Sequence, residues 1–243
     1  LYRVKDAPNG GAVDCEIDGD VVVDTFAWDQ KGELCAAVMG MPGKMHDIYL
    51  FGSDSRDGKQ LTEINAHTKS WALPKISIVH WKGKDGKPVE GVLELPPDYK
   101  AGTPLPTIVN LHGGPTSAWP YNMVFGYMGN VIYASQGYAF FSPNYRGSTG
   151  YGDDFITHLV GRQNDVDVSD ILGGIDQLIA DRVTDKARIG VAGWSNGGYL
   201  TNCLISRTDR FKAASSGAGI VDQTMEWGIN DEPAFPLVFF EGA

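Results

Sequence analysis

Residues 188–200 hold the side chain best placed to do chemistry. A short apolar run from Arg188 to Ala192 leads into Gly193-Trp194-Ser195-Asn196-Gly197 and then Gly198-Tyr199-Leu200. Gly-x-Ser-x-Gly between a strand and a helix is a nucleophile elbow. The turn forces strained dihedrals on the serine, and the flanking glycines remove side chains that would clash across it. The hydroxyl is lifted above the sheet, near the positive end of the following helix. A serine so placed attacks a carbonyl carbon. The N–H of the next residue, Asn196, is placed to receive the oxyanion that forms.

A second apolar run, 108–111, ends in His112-Gly113-Gly114-Pro115. A His-Gly-Gly loop at a strand end offers another main-chain N–H to the oxyanion, because glycines let the backbone approach a substrate carbonyl. Losing one such donor costs about 10²–10³ in rate. His112 is read as a ring that props this loop, not as a general base. The remaining histidines, His46, His67, His80 and His158, also precede Ser195. Around a nucleophile elbow the acid and then the base follow the serine in chain order. Yet none of the 48 residues after Ser195 (243 − 195) is His. A serine without a base keeps its proton and attacks poorly. Asp222 and Asp231 come early for the acid and stay unassigned. The expectation is a chain truncated before its triad Asp and His, and inactive alone.

The elements that must position these residues divide near residue 75. From 21 to 65 four strand-like runs, 21–28, 33–39, 47–52 and 60–65, alternate with turns rich in Gly, Pro and Asp. This is an antiparallel meander of the size of one propeller blade, and a blade needs neighbours to bury its faces. After a linker at 67–74, a hairpin of 76–81 and 88–95 opens the second unit. Strands at 107–111, 138–142, 188–192 and 213–216 then alternate with helices at 123–135, 168–182 and 197–206. In the middle helix Ile171, Leu172, Ile175, Leu178 and Ile179 recur at three- and four-residue intervals. Such alternation argues for βαβ units around a parallel sheet. The expected fold is α/β: a partial α/β-hydrolase with a parallel-rich sheet and flanking helices, preceded by the last blade or strands of a β-propeller. Residues 1–75 are the propeller end and 76–243 the N-terminal part of the hydrolase.

Composition narrows the partners. A formal net charge of −10 and no Lys/Arg cluster argue against nucleic acid. No apolar run has the length of a membrane span, and the expected protein is soluble, cytoplasmic or else periplasmic or secreted. Cys15, Cys35 and Cys203 are read as free thiols, with a Cys15–Cys35 bridge left open. Asp165, Asp167 and Asp170 sit at the start of the 168–182 helix, where capping and the helix dipole explain carboxylates better than a metal does. No metal or cofactor is expected.

Three segments together resemble the prolyl oligopeptidase family of serine peptidases, particularly its acylaminoacyl-peptidase and dipeptidyl-peptidase branches. They are residues 112–115, the run Asn144-Tyr145-Arg146-Gly147-Ser148-Thr149-Gly150-Tyr151-Gly152, and residues 193–198. The middle segment is the most distinctive, since general esterases rarely combine it with the other two. The resemblance implies a serine peptidase acting on short peptides through an acyl-enzyme on Ser195, of acylaminoacyl-, dipeptidyl- or oligopeptidase type. It implies Asn196 and Gly114 as oxyanion donors through their N–H groups, and a triad Asp and His supplied by the remainder of the polypeptide. Arg146 either touches substrate or holds its loop, and Trp227 either walls a substrate pocket or packs. The competing readings are a carboxylesterase using the same nucleophile and a non-catalytic interaction domain derived from such a hydrolase.

Overall fold

The computed structural model describes residues 1–4, 13–52, 55–123 and 130–229. Its first part is built from antiparallel strands. Strands β1 (Tyr2–Val4) and β2 (Val13–Cys15) pair with each other. Strands β3 (Val22–Trp28), β4 (Leu34–Met41), β5 (Lys44–Gly52) and β6 (Ser55–Gln60) form a sheet in that order. Alternation sends Cys35, Ala37, Met39, Tyr49 and Phe51 to one face, where they form a core with Ile17. The fourth strand differs from expectation: it covers Ser55–Gln60, not 60–65. Gly52 pairs with Ser55 and Tyr49 with Gln60, so the chain returns at once from β5. An edge strand is paired on one side only and tolerates polar residues, which is why this polar run reads as a loop. None of the three cysteines is in a disulfide.

The second part is a mixed six-stranded sheet in the order β12-β11-β9-β10-β8-β7. Strands β7 (Lys75–Lys82) and β8 (Pro88–Leu95) form the expected hairpin. Strands β9 (Leu105–Leu111), β10 (Ala139–Asn144), β11 (Thr184–Trp194) and β12 (Phe211–Gly217) run parallel. Helix α1 (Asn130–Ser135) gives the described end of the expected 123–135 helix; residues 124–129 lie outside the description. Helix α2 (Asp153–Thr157) interrupts the Gly-rich loop. Helices α3 (Val166–Ala180), α4 (Asn196–Arg207) and α5 (Gln223–Ile229) follow. No helix among the described residues is long and apolar enough to cross a membrane.

The apolar stripe of α3, Val168, Ile171, Ile175 and Leu178, packs with Leu200 and Leu204 of α4 on one face of this sheet, over Leu93, Val109, Phe141 and Val191. Helix α1 lies against the other face, where the Tyr133 ring stacks on Phe140 at 6.0 Å. Burying these side chains contributes roughly 1.5–3 kcal/mol each.

Strand order then fixes where a site can form. From β9 the chain passes through α1 to β10 on one side. From β11 it passes through α4 to β12 on the other. The connections diverge at the carboxyl ends of β9 and β11, which are neighbours, and a parallel sheet opens its crevice at such a point. Gly193 and Leu111 are register partners there. The two glycine motifs therefore meet because of the topology.

Candidate active site

Ser195 follows β11 directly and opens α4 with φ 57° and ψ −123°. Few L-residues tolerate this region. Its N–H donates to the Gly217 carbonyl at 2.9 Å, and its own carbonyl accepts from Tyr199 N–H at 3.0 Å. The side chain is exposed, and no side chain among the described residues hydrogen-bonds its Oγ. The glycines make the turn possible. A Cβ on Gly193 would run into the Gly197 backbone, and one on Gly197 into the Leu111 carbonyl.

The loop after β9 lies against this turn. A Cβ on Gly113 would stand 3.2 Å from the Trp194 carbonyl oxygen, 3.3 Å from Ser195 Cβ and 3.9 Å from Ser195 Oγ. Among the described residues, neither the Gly114 N–H nor the Asn196 N–H donates to a protein acceptor. Asn196 is the first residue of α4, where N–H groups have no partner within the helix. Its buried side chain turns away into the protein, and its Oδ1 accepts from Gln163 Nε2 at 2.8 Å.

His112 is buried under the loop. The Gly113 carbonyl can only accept, so the ring places its proton on Nδ1 and donates across 2.8 Å. Nε2 lies 2.8 Å from the Ser148 hydroxyl. Burial pushes its pKa down to about 4, so the ring is neutral across the physiological range. The other histidines are engaged away from Ser195. His46 lies 3.0 Å from Asp24, His80 3.3 Å from Glu90 and His158 3.5 Å from Asp85, while the His67 ring meets Trp71 edge-on at 5.4 Å. Among the described residues no group is poised to take the Ser195 proton. Asp222 is exposed and caps α5, its Oδ1 accepting from Thr224 N–H at 2.9 Å; Asp231 lies outside the described residues.

Arg146 is 2% exposed. Its guanidinium forks onto both oxygens of Asp170, with Nε donating at 2.6 Å, and also pairs with Asp85 on the β7–β8 turn. This arrangement anchors the loop and leaves the guanidinium no open face. Of the carboxylates expected to cap α3, Asp167 does serve its start, its Oδ1 accepting from Val168 N–H at 2.7 Å, whereas Asp165 and Asp170 do not. Asp165 stands at the N-cap without a side-chain cap hydrogen bond, and Asp167 and Asp170 are fully buried. Asp170 receives Arg146, and burial pushes the Asp167 pKa up to about 6. Trp227 lies on α5, but its side chain is outside the described residues.

Residues that sequence reasoning missed bind the two loops together. Asn144 Oδ1 accepts from Trp119 N–H at 2.7 Å, and its Nδ2 donates to the Trp119 carbonyl at 3.1 Å. Tyr145 donates to the His112 carbonyl at 2.7 Å. The signal is the 144–152 segment itself, whose residue types do not reveal the directions in which they point.

The family model described as the prolyl oligopeptidase family matches residues 125–239. The chain belongs to the prolyl oligopeptidase family.

Within that family it is 32% identical over 213 residues to the uncharacterized peptidase YuxL of Bacillus subtilis, covering 86% of this chain and 32% of that protein. It is 37% identical over 139 residues to the acylamino-acid-releasing enzyme of Arabidopsis thaliana, covering 56% of this chain and 17% of that enzyme. Among solved structures, the Pyrococcus horikoshii acylaminoacyl peptidase superposes with a TM-score of 0.83 at 28% identity, over 95% of this chain and 36% of that one. The chain thus spans about a third or less of these prolyl oligopeptidase relatives.

Proposed function

We propose that these residues carry the nucleophile and oxyanion half of a serine peptidase that cleaves short peptides, acylated or free at their amino terminus, through an acyl-enzyme on Ser195. The observation that carries this reading is the approach of Gly113 to Ser195, so near that a Cβ on the glycine would stand 3.3 Å from Ser195 Cβ, beside an Oγ that no side chain among the described residues holds. A scissile carbonyl carbon has room above Oγ. Its oxygen then points to the Gly114 and Asn196 N–H groups, and negative charge developing there is stabilised in place. Oγ forms the new bond to carbon, and the leaving amine departs with a proton as the tetrahedral species collapses. Water then repeats the attack to release the acyl group. The proton from Oγ goes to a base that is none of the five histidines of this sequence, so these 243 residues alone are inert.

The same reading divides the chain into 1–75, the end of a β-propeller, and 76–243, the hydrolase part. The four-stranded meander β3–β6 supports it. So does the exposure of Phe26 on β3, a large apolar side chain on a sheet face of the kind that a neighbouring blade would cover.

The test is intact-mass spectrometry after exposure to a fluorophosphonate. A single adduct on an active polypeptide containing this chain, lost in Ser195→Ala, is expected. The 26.3 kDa chain alone should stay unlabelled. Rapid labelling of the lone chain would overturn the missing-base reading, and labelling that survives Ser195→Ala would overturn the nucleophile.

A further inference from the structure

The assignment of Ser195 as nucleophile and Gly114 as oxyanion donor leaves open what aims the donor, and the following inference rests on that assignment. We propose that Tyr145 is a positioning residue that holds the main chain of His112-Gly113-Gly114 at the angle from which it receives the oxyanion.

A trans peptide is rigid, with its C=O and N–H pointing in opposite directions. Fixing a carbonyl therefore aims the N–H of the following residue. The Tyr145 hydroxyl donates to the His112 carbonyl at 2.7 Å, which fixes the plane between His112 and Gly113. His112 Nδ1 donates to the Gly113 carbonyl at 2.8 Å, which fixes the next plane and turns the Gly114 N–H the other way. The imidazole making that second bond lies flat on the Tyr145 ring, with centroids 4.3 Å apart and planes 9° apart. One side chain thus holds both planes, the first by a hydrogen bond and the second through the ring it supports. Successive glycines otherwise have the widest backbone freedom of any residue, so without such a clamp the donor would sample many directions.

Tyr145 is itself held. It is fully buried, and its carbonyl accepts from Ser148 N–H at 3.0 Å and from the Ser148 hydroxyl at 2.6 Å. The next residue, Arg146, gives its N–H to Asp170 of α3 at 3.1 Å as well as its guanidinium. The anchor runs from α3 through Tyr145 to the loop over Ser195. Because the hydroxyl is buried, it acts through the loop without touching substrate.

Tyr145→Phe keeps the ring and the stacking and removes only the hydroxyl. In the active polypeptide that carries this chain, kcat on an aminoacyl anilide should fall about 10- to 100-fold, less than or equal to the loss of one oxyanion donor, while KM stays within about twofold. Inhibition by a peptidyl trifluoromethyl ketone, which forms an oxyanion on the serine, should weaken by the same factor as kcat. A wild-type kcat, or a higher KM at constant kcat, would overturn the inference. If the variant does not fold, Ser148→Ala makes the same test: it removes the hydroxyl that donates to the Tyr145 carbonyl and so loosens the residue that carries the clamp. A lower kcat at unchanged KM supports the clamp there, and an unchanged kcat overturns it. Ser195→Ala separates the two levels. If it keeps activity, the reading of the site fails. If it is inert and Tyr145→Phe has wild-type kcat, only the role of Tyr145 fails.

Discussion

Gly197, at the start of α4, lies so close to the end of β9 that a Cβ on it would collide with the carbonyl oxygen of Leu111. The obstacle is backbone in the middle of a sheet and cannot swing aside. Gly197→Ala should therefore separate α4 from β9 or strain both. Overpacking costs typically about 1–3 kcal/mol, and here the upper end is expected, lowering the thermal midpoint by about 6–12 °C for a chain of this size. Calorimetry on the variant checks it, and a midpoint within a degree of the parent would show that the helix start yields freely.

Gly113→Ala should behave in the opposite way. Its Cβ meets Ser195 Cβ at 3.3 Å and Oγ at 3.9 Å, a tight fit that a small shift of the loop relieves. The fold should lose little, but the methyl occupies the space in which a tetrahedral carbon forms. The expected result in the active polypeptide is a fall in kcat/KM of about 10²–10³, as for a lost oxyanion donor, with a thermal midpoint within a few degrees. Steady-state kinetics beside a melting curve separates this outcome from the one at Gly197.

Arg146 and Asp170 form a buried pair, at 2% and 0% exposure. Removing one partner leaves the other charged with no water to turn to, and such breaks cost about 3–5 kcal/mol. Arg146→Ala should reach that range in urea unfolding. Adding Asp170→Asn should recover part of the loss, because the stranded charge goes with it. KM should be little affected in any residual activity, since the guanidinium is closed off from solvent. A large KM rise without loss of stability would instead place Arg146 in contact with substrate.

How much of this was legible in the sequence depends on how local each determinant is. The Ser195 elbow depends on two glycines within five residues and on the run that precedes them, so spacing alone exposes it. The hairpin β7–β8 is equally local, its turn marked by Gly83 and Gly86. The edge strand β6 is not legible, because its polar residues look like a loop until pairing with β5 is seen. Asp170 is the opposite case. A carboxylate near a helix start satisfies the dipole argument so well that nothing points to an arginine 24 residues earlier on another element. Tyr145 and His112 are 33 residues apart, and only the parallel pairing of β9 with β10 brings them together.

Glu94 and His112 give the stability of this fold two opposed dependences on pH. Burial raises the Glu94 carboxyl from 4.5 to about 7, against a weaker opposing effect of the Asn130 amide, which donates to it at 2.6 Å. Its folded pKa lies above the unfolded one. Its contribution is therefore complete below pH 4.5 and is lost as pH rises through about 7. His112 has its folded pKa depressed from 6.5 to about 4, so its contribution is complete above pH 6.5 and is lost as pH falls through about 4. Each is worth about 3 kcal/mol at 1.36 kcal/mol per pKa unit, and the two slopes offset each other between about pH 4.5 and 6.5. Glu94→Gln removes one of them and keeps a side chain of the same shape. Asp167, raised by burial from 3.8 to about 6, still loses its own contribution as pH rises through about 6 and opposes His112. The variant's curve should therefore be flatter than the parent's between about pH 4.5 and 7 and lie above it beyond pH 7. Urea midpoints measured at half-unit intervals from pH 4 to 8 give the answer. A parent and variant with parallel curves would mean that the Glu94 carboxyl is not buried in the folded chain.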